Sequence, residues 1–498
     1  MYILELLVLS AVAHSFSVHV PSLPDAKDLY PVDSVEKPPQ DFFARIRSHT
    51  KQTVLASSQT AQTTLAWQQG MSFIDSDSSN EAYTVNVTVG DDTLPLLIDT
   101  GSAYLWVYGA NCTDSSCDDK KLYQMSSGRE SGSLFTLSYS SGSASGSVVS
   151  DSLQLAGVAA DDFSFGVASH VPDLFEGYSF AGVLGLPATN ATDGMTNLVT
   201  FLQNQGSLAK GVFALCLGAY STANGDSNAG LLVLGKDIAE LYDETISYAP
   251  VVENSNNYWQ IVVDSISVDG YGVSFDKAAV DGDESSTKRL AVVDSGTTSI
   301  VTASADATKL HSFFNDSVTD GSNFAVPCNT SYELAFEIGG QKWTLGPEDY
   351  LGSAYPSGSQ YSGYCVSNIV GSPSLDNGTW ILGSLFLKNY YVTFDLDGAK
   401  VGLANRTAVQ IDASASQSPL SSLPHSQTTA GASSAYYNSS TTPSSHRTRT
   451  PSTLSIASSS VSGRASANSS SSSSVVSGRA GKRQLSPPLL LLSLLCLL

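Results

Sequence analysis

From Glu81 to Asn405 the chain reads as a succession of short apolar and polar alternations. Tyr83-Thr-Val-Asn-Val-Thr-Val89 carries an apolar side chain at every second position, the period of a strand with one buried face. Gly90-Asp-Asp92 follows it as a turn. Comparable runs recur at Phe135–Tyr139, Ser147–Leu155, Leu231–Leu234, Trp259–Val268, Tyr332–Ile338 and Tyr391–Leu396, separated by Gly, Ser and Asp. Long stretches with a 3.6-residue period are few, so the spacing predicts a mainly β body.

Within that body one two-part pattern occurs twice. Leu96-Leu-Ile-Asp99-Thr-Gly-Ser102 is matched by Ala291-Val-Val-Asp294-Ser-Gly-Thr297, and Gly182-Val-Leu-Gly185 by Trp380-Ile-Leu-Gly383. The last glycine follows its aspartate by 86 residues in the first copy and by 89 in the second. Such duplication predicts two related lobes, each offering one aspartate. In each copy the apolar run is a buried strand, and the glycine permits a tight turn directly after it. Asp99 and Asp294 then stand at strand ends, where the hydroxyls of Ser102 and Thr297 fix the rotamer of the outer carboxylate oxygen. If the lobes meet, the two carboxylates face each other and share one proton, because both cannot ionise cheaply. One oxygen draws a proton from a water while the other carboxyl protonates a substrate carbonyl, which hydrolyses an acyl group without a covalent intermediate or a metal. Two unrelated strand-turn motifs are the alternative, but D-[ST]-G-[ST] arises twice by chance in roughly one chain in a hundred.

From about Glu81 to Ala404 the chain resembles the pepsin-family aspartic proteases. The resemblance rests on Asp99-Thr-Gly-Ser-Ala-Tyr-Leu-Trp-Val107, Asp294-Ser-Gly-Thr-Thr-Ser299, Tyr258-Trp-Gln-Ile261 and Ile381-Leu-Gly-Ser-Leu-Phe-Leu-Lys-Asn-Tyr-Tyr-Val-Thr-Phe-Asp395. It implies a mainly β, bilobal pepsin-like fold with the active site between two related lobes, Asp99 and Asp294 as the catalytic pair, and no cofactor or metal. Ser138-Tyr-Ser-Ser-Gly-Ser-Ala-Ser-Gly146 is similar to the family's flap, a hairpin that closes over the substrate. By that match Tyr139 is the flap tyrosine and the Trp106 indole N–H holds its hydroxyl. Ser140 stands where many members carry glycine. Ser141, Gly142, Gly101, Gly296, Thr297 and Thr298 complete the implied substrate-binding surface.

Composition changes the picture mainly at the ends. The 498 residues include 24 Lys+Arg and 46 Asp+Glu, for a net charge of −22, yet only six basic residues and Asp412 lie beyond residue 410. The acidic excess belongs to the body, where it disfavours a nucleic-acid partner, steers cationic substrates and suits work at acidic pH. Residues 1–15 match a signal peptide, with an apolar run to Ala13 and small residues Ala11, Ala13 and Ser15, although Glu5 interrupts the run and no basic residue precedes it. A buried N-terminal helix is the alternative. By position residues 16–70 read as a propeptide, with Lys27, Lys37, Arg45, Arg47 and Lys51 able to pair with the acidic body. The peptidase body spans 71–405, divided into an N-lobe of about 71–255 and a C-lobe of about 256–405.

Residues 406–478 form a Ser/Thr-rich stalk that lacks the apolar content to fold. Residues 479–498 end in a ten-residue apolar run from Leu489, roughly half a membrane span. With a small-residue site at Gly478 or Ser477, this matches a removable GPI-attachment signal. Signal, stalk and end together resemble the yapsin-type, surface-anchored aspartic proteases of fungi. That implies delivery to the cell surface and a preference for basic residues near the cut in peptide substrates, by an enzyme expected to be monomeric. Cys112 with Cys117 and Cys328 with Cys365 are the expected disulfides, Cys216 a buried thiol outside them, and Cys496 leaves with the tail. Sequons stand at Asn86, Asn111, Asn190, Asn315, Asn329, Asn377, Asn405, Asn438 and Asn468. The dibasic Lys288-Arg289 reads as a solvated loop, with internal processing as the alternative. A catalytically dead binding homologue would show a lost aspartate or a broken turn, and a structural mannoprotein would not need two matched aspartate motifs.

Overall fold

The computed structural model describes residues 13–14, 29–32, 63–76, 81–139, 142–189, 195–218, 230–407 and 409–412. Most of the predicted signal peptide and propeptide lies outside these residues, as do the stalk beyond Asp412, the GPI signal with Gly478 and Ser477, and Cys496. So do Asn190, Asn438, Asn468 and the flap residues Ser140 and Ser141.

Strands dominate the body, as the alternation predicts. Tyr83–Val89 buries every second side chain and turns through Gly90 (φ +56°) into the antiparallel strand Asp92–Asp99. The predicted run Trp259–Val268 is instead two strands, Gln260–Val263 and Ser265–Val268. At Asp264 the chain changes sheets: the first strand pairs with Arg289–Val293 and the second with Leu334–Ile338.

The two copies of the repeat are built alike. In the first, Asp92–Asp99 pairs in parallel with Gly182–Gly185, which runs antiparallel to Trp106–Tyr108, which pairs in parallel with Val158–His170. In the second, Arg289–Val293 pairs in parallel with Thr379–Leu382, which runs antiparallel to Ile300–Ala303, which pairs in parallel with Ile369–Ser372. Glycine closes each crossing because the chain passes hard against the neighbouring aspartate turn. A Cβ at Gly185 would overlap the Tyr104 carbonyl, and one at Gly383 the carbonyls of Thr297 and Ser299.

The two repeats meet on a shared sheet. Val212–Cys216 lies between Gly230–Leu234 and Tyr390–Asp395, so strands from both sides of residue 256 pair with one another. All five residues of Val212–Cys216 are buried, as expected for a strand covered on both faces. Phe213 stacks on Phe394 at 4.6 Å, and Trp259 meets both edge-on. Cys216 is buried here, outside the disulfides Cys112–Cys117 and Cys328–Cys365. Upstream, Thr63–Ala66 pairs in parallel with Val409–Asp412, and Leu65 packs near Met71 in a buried cluster.

Arg289 departs from the predicted solvated loop. Lys288 is half exposed and reaches Asp264 at 2.7 Å, but Arg289 is buried behind the Asp294 strand. Its Nε and Nη2 donate to Asp306 Oδ2 and Oδ1 at 2.6 and 2.9 Å, and its plane lies 4.6 Å from the centre of the Phe275 ring. Trp380 Nε1 donates to the same Asp306 Oδ2 at 2.7 Å, and the Thr287, Lys288 and Asp276 carbonyls accept the remaining Arg289 protons. A processing protease has no access to a guanidinium held in this way. On the helix Ser304–His311, His311 is buried, stacked on Phe324 at 3.9 Å. Its Nδ1–H donates to the Ala307 carbonyl at 2.7 Å, which leaves Nε2 to accept from Ser367 Oγ at 2.9 Å. The sequon asparagines Asn86, Asn111, Asn315, Asn329, Asn377 and Asn405 are all exposed.

Candidate active site

Asp99 is the last residue of its strand and Asp294 follows directly after Val293. The turn after each aspartate folds its donors back on the carboxylate. Gly101 N–H donates to Asp99 Oδ1 at 2.8 Å and Gly296 N–H to Asp294 Oδ1 at 2.9 Å. Ser102 Oγ donates to Asp99 Oδ2, and Thr297 Oγ1 to Asp294 Oδ2 at 2.6 Å. The glycines also let the two turns approach. A Cβ at Gly101 would lie 2.7 Å from Asp294 Cγ, and one at Gly296 would overlap the Asp99 carboxyl. Each carboxylate therefore sits against the other lobe's glycine, as two facing aspartates must.

Both carboxyls are buried, and their protons follow from that. Burial first, and then the charge of Asp294, hold Asp99 well above the usual carboxylate range. Burial also raises Asp294, against the opposing pull of the Thr297 hydroxyl and the Gly296 N–H. The pair titrates as a unit and keeps one proton at pH values where exposed carboxylates have lost theirs.

Two residues that sequence reasoning left without a role lock the turns together. Thr100 Oγ1 donates to the Val293 carbonyl at 2.8 Å and accepts from Ser295 N–H at 2.9 Å. Reciprocally, Ser295 Oγ donates to the Ile98 carbonyl at 2.8 Å and accepts from Thr100 N–H at 3.2 Å. The only sequence signal for this lock is the hydroxyl residue that follows each aspartate. Tyr258 belongs to a stretch that carries the resemblance, but the sequence assigns it no role. It is buried beside the pair, and burial together with the charges of Asp294 and Asp99 pushes its phenol up. Thr298 Oγ1 donates to the Glu81 carbonyl at 2.9 Å. Among the described residues, no three His, Cys, Asp or Glu side chains converge as a metal-ligand set.

The hairpin that resembles the family's flap joins Arg129–Tyr139 to Gly142–Leu155, with Tyr139 paired opposite Gly142. Gly142 has φ +127°, a conformation open to glycine, and a Cβ there would press on Pro172 at 2.7 Å. Trp106 Nε1 donates to Tyr139 Oη at 2.7 Å, the contact that the resemblance implies. Phe175 stands edge-on to the Tyr139 ring at 5.0 Å and also meets Trp106 and Phe180, forming an aromatic wall with no periodic sequence signal.

The Cys112–Cys117 loop props that wall. Asp114 Oδ2 accepts from Val171 N–H at 2.9 Å, and Ser116 Oγ donates to the Pro172 carbonyl at 2.9 Å. Lys120 Nζ donates to the carbonyls of Phe175 (3.2 Å) and Tyr178, and lies 5.7 Å from the Phe180 ring centre. Replacing Lys120 with methionine keeps the stem but removes the ammonium from both carbonyls, leaving Phe175 the longer 3.4 Å bond from Tyr178 N–H. We expect KM for peptide substrates to rise about fivefold to tenfold with kcat within about twofold, because the wall serves ground state and transition state alike. Steady-state kinetics on a peptide series check this, and an unchanged KM would remove Lys120 from the wall.

Known proteins carry the same arrangement of sequence. The family model described as "Eukaryotic aspartyl protease" matches residues 82–406. Aspartic-type endopeptidase ctsD of Aspergillus fumigatus is 29% identical over 370 residues, covering 72% of this chain and 72% of that protein. A probable aspartic-type endopeptidase CTSD of Arthroderma otae is 30% identical over 318 residues, 62% of this chain and 78% of the relative. Pepsin A of Sus scrofa is 28% identical over 332 residues, covering 64% and 80%. The match to the Arthroderma benhamiae homologue spans 65% of that relative's length. With the match running through both aspartate turns, the Tyr139 hairpin and the shared sheet, the chain belongs to the eukaryotic aspartyl protease family and is an aspartic endopeptidase.

Proposed function

We propose that this endopeptidase is secreted, held at the cell surface by a GPI anchor in the manner of the yapsin type, and cuts peptides at acidic pH with a preference for basic residues near the scissile bond. The observation that carries the acid chemistry is the pair of buried carboxyls, both raised above their ordinary range while locked by Gly101, Ser102, Gly296 and Thr297. In the singly protonated pair, the ionised carboxylate takes a proton from the attacking water and the protonated carboxyl gives its own to the substrate carbonyl oxygen. The resulting tetrahedral centre collapses as the amide nitrogen is protonated and leaves. Tyr139, held by Trp106, closes over the peptide and excludes water.

The finer parts of the reading rest on the sequence ends and on charge. The acidic body raises the local concentration of cationic peptides. Because Thr63–Ala66 pairs with Val409–Asp412, a mature chain starting at residue 71 would give up a strand, so we place the activating cut upstream of Thr63. Cleavage-site profiling on a peptide library between about pH 3 and 7 tests the chemistry and the preference together. We expect cuts enriched for Lys or Arg near the scissile bond and a rate that falls as the pair loses its shared proton. A profile indifferent to basic residues overturns the preference alone. For the anchor, phosphatidylinositol-specific phospholipase should release the protein from intact cells, and retention of an accessible protein on the membrane overturns it.

A further inference from the structure

We propose that the outer edge of strand Val318–Thr319, with the apolar pocket beneath it, is a peptide-docking site whose resident occupant is the Leu29–Val32 segment of the same chain. The proposal goes beyond the peptidase reading and does not depend on it. Tyr30–Pro31 adds to that edge as an antiparallel strand, Tyr30 opposite Thr319 and Pro31 opposite Val318. Val32 N–H donates to the Ser317 carbonyl at 3.0 Å, extending the ladder by one bond.

The side chains supply the anchor. Leu29 is 7% exposed and packs in a cluster with Val318, Ala325, Tyr355, Tyr361 and Val366, whereas Tyr30 is 53% exposed. That in-and-out alternation is how an added strand reads an edge: backbone for affinity, alternate side chains for selectivity. Tyr361 Oη also donates to the Leu29 carbonyl at 3.0 Å, so the pocket recognises main chain and leucine together. Stripped of its occupant, the edge would present an open strand above an exposed aromatic and aliphatic hollow, a combination that folded proteins cover. Pro31 fits an edge position, since it has no N–H to offer a further strand.

Thirty residues separate Val32 from Thr63. A cut anywhere between them would leave these contacts as the attachment of the described residues from Leu29 to Val32. The site therefore predicts that a severed N-terminal peptide stays bound, and that a free peptide of the same sequence can take its place.

Hydrogen exchange on the full chain tests this, with Asp294→Asn added to prevent self-cleavage. In Leu29→Asp we expect exchange across residues 317–320 and at Val32 to accelerate by at least about tenfold, since the strand opens locally. Leu29→Met should stay within about threefold, and the Asp99 strand should be unchanged in both. A synthetic peptide of residues 25–36 added to the Leu29→Asp chain should restore protection at 317–320, while the same peptide with aspartate for leucine should not. Unchanged exchange in Leu29→Asp overturns the docking, and failure of the peptide to restore protection at millimolar concentration overturns the site. Should Leu29→Asp loosen the whole body, Tyr361→Phe decides. It deletes one hydrogen bond and should accelerate the Leu29–Val32 amides alone; no acceleration there overturns the proposal.

Discussion

Replacing Asp99 or Asp294 with asparagine lowers kcat/KM for peptide cleavage at acidic pH by at least about 10³-fold, because each substitution removes one half of a proton-transfer pair. The same substitutions shift stability in the opposite direction at neutral pH. Burial raises both carboxyls above their unfolded values, so the folded state binds protons more tightly than the unfolded chain. Their contribution to stability is complete below the unfolded value near 3.9 and is lost as pH rises through the folded values. An asparagine at either place no longer has a buried charge to ionise. Thermal unfolding should show both variants melting above the parent at pH 7, with the difference shrinking toward pH 4. Activity that survives both substitutions sinks the proposed pair, and a parent that melts as high as its variants at pH 7 contradicts the raised carboxyls.

Arg289→Met should cost about 3–5 kcal/mol, the penalty for leaving Asp306 buried and unpaired. For a body of this size that amounts to a fall in Tm of roughly 4–7 °C. Activity should fall as well, because Arg289 opens the strand that ends beside Asp294. The double variant Arg289→Met with Asp306→Leu removes both charges and should recover most of the loss, leaving the Trp380 indole N–H as the group that must find another partner. Thermal melts of the single and double variants give the coupling directly. A single variant within about 1 kcal/mol of the parent would mean that water reaches Asp306.

The duplicated aspartate motif and the alternating runs made the lobes, the pair and the main strands legible, because strand period and turn chemistry are local properties. Tyr83–Val89 is a strand in its predicted bounds for that reason. Long-range pairing wrote what was missed. Nothing in Thr100 or Ser295 announces that each will grip the other's turn until the two turns are brought together. Alternation through Trp259–Val268 does not encode a change of sheet at Asp264, and a dibasic string reads as solvated when the aspartate that buries it lies 17 residues downstream. Phe175 and Lys120 follow no period at all; their roles come from a disulfide loop meeting a wall some fifty residues away.

His311 carries a consequence for how acid the enzyme's surroundings can become. Burial pushes its imidazole down from 6.5 to about 4, with the Ala307 carbonyl pulling the other way. Between those values the unfolded chain takes up a proton that the folded helix refuses, so stability falls as pH falls, by an amount approaching about 3 kcal/mol. Acid keeps the shared proton on the aspartates while eroding the lobe that holds one of them. The lower edge of the working range is then a matter of how long the fold lasts, and the upper edge a matter of when the pair loses its proton.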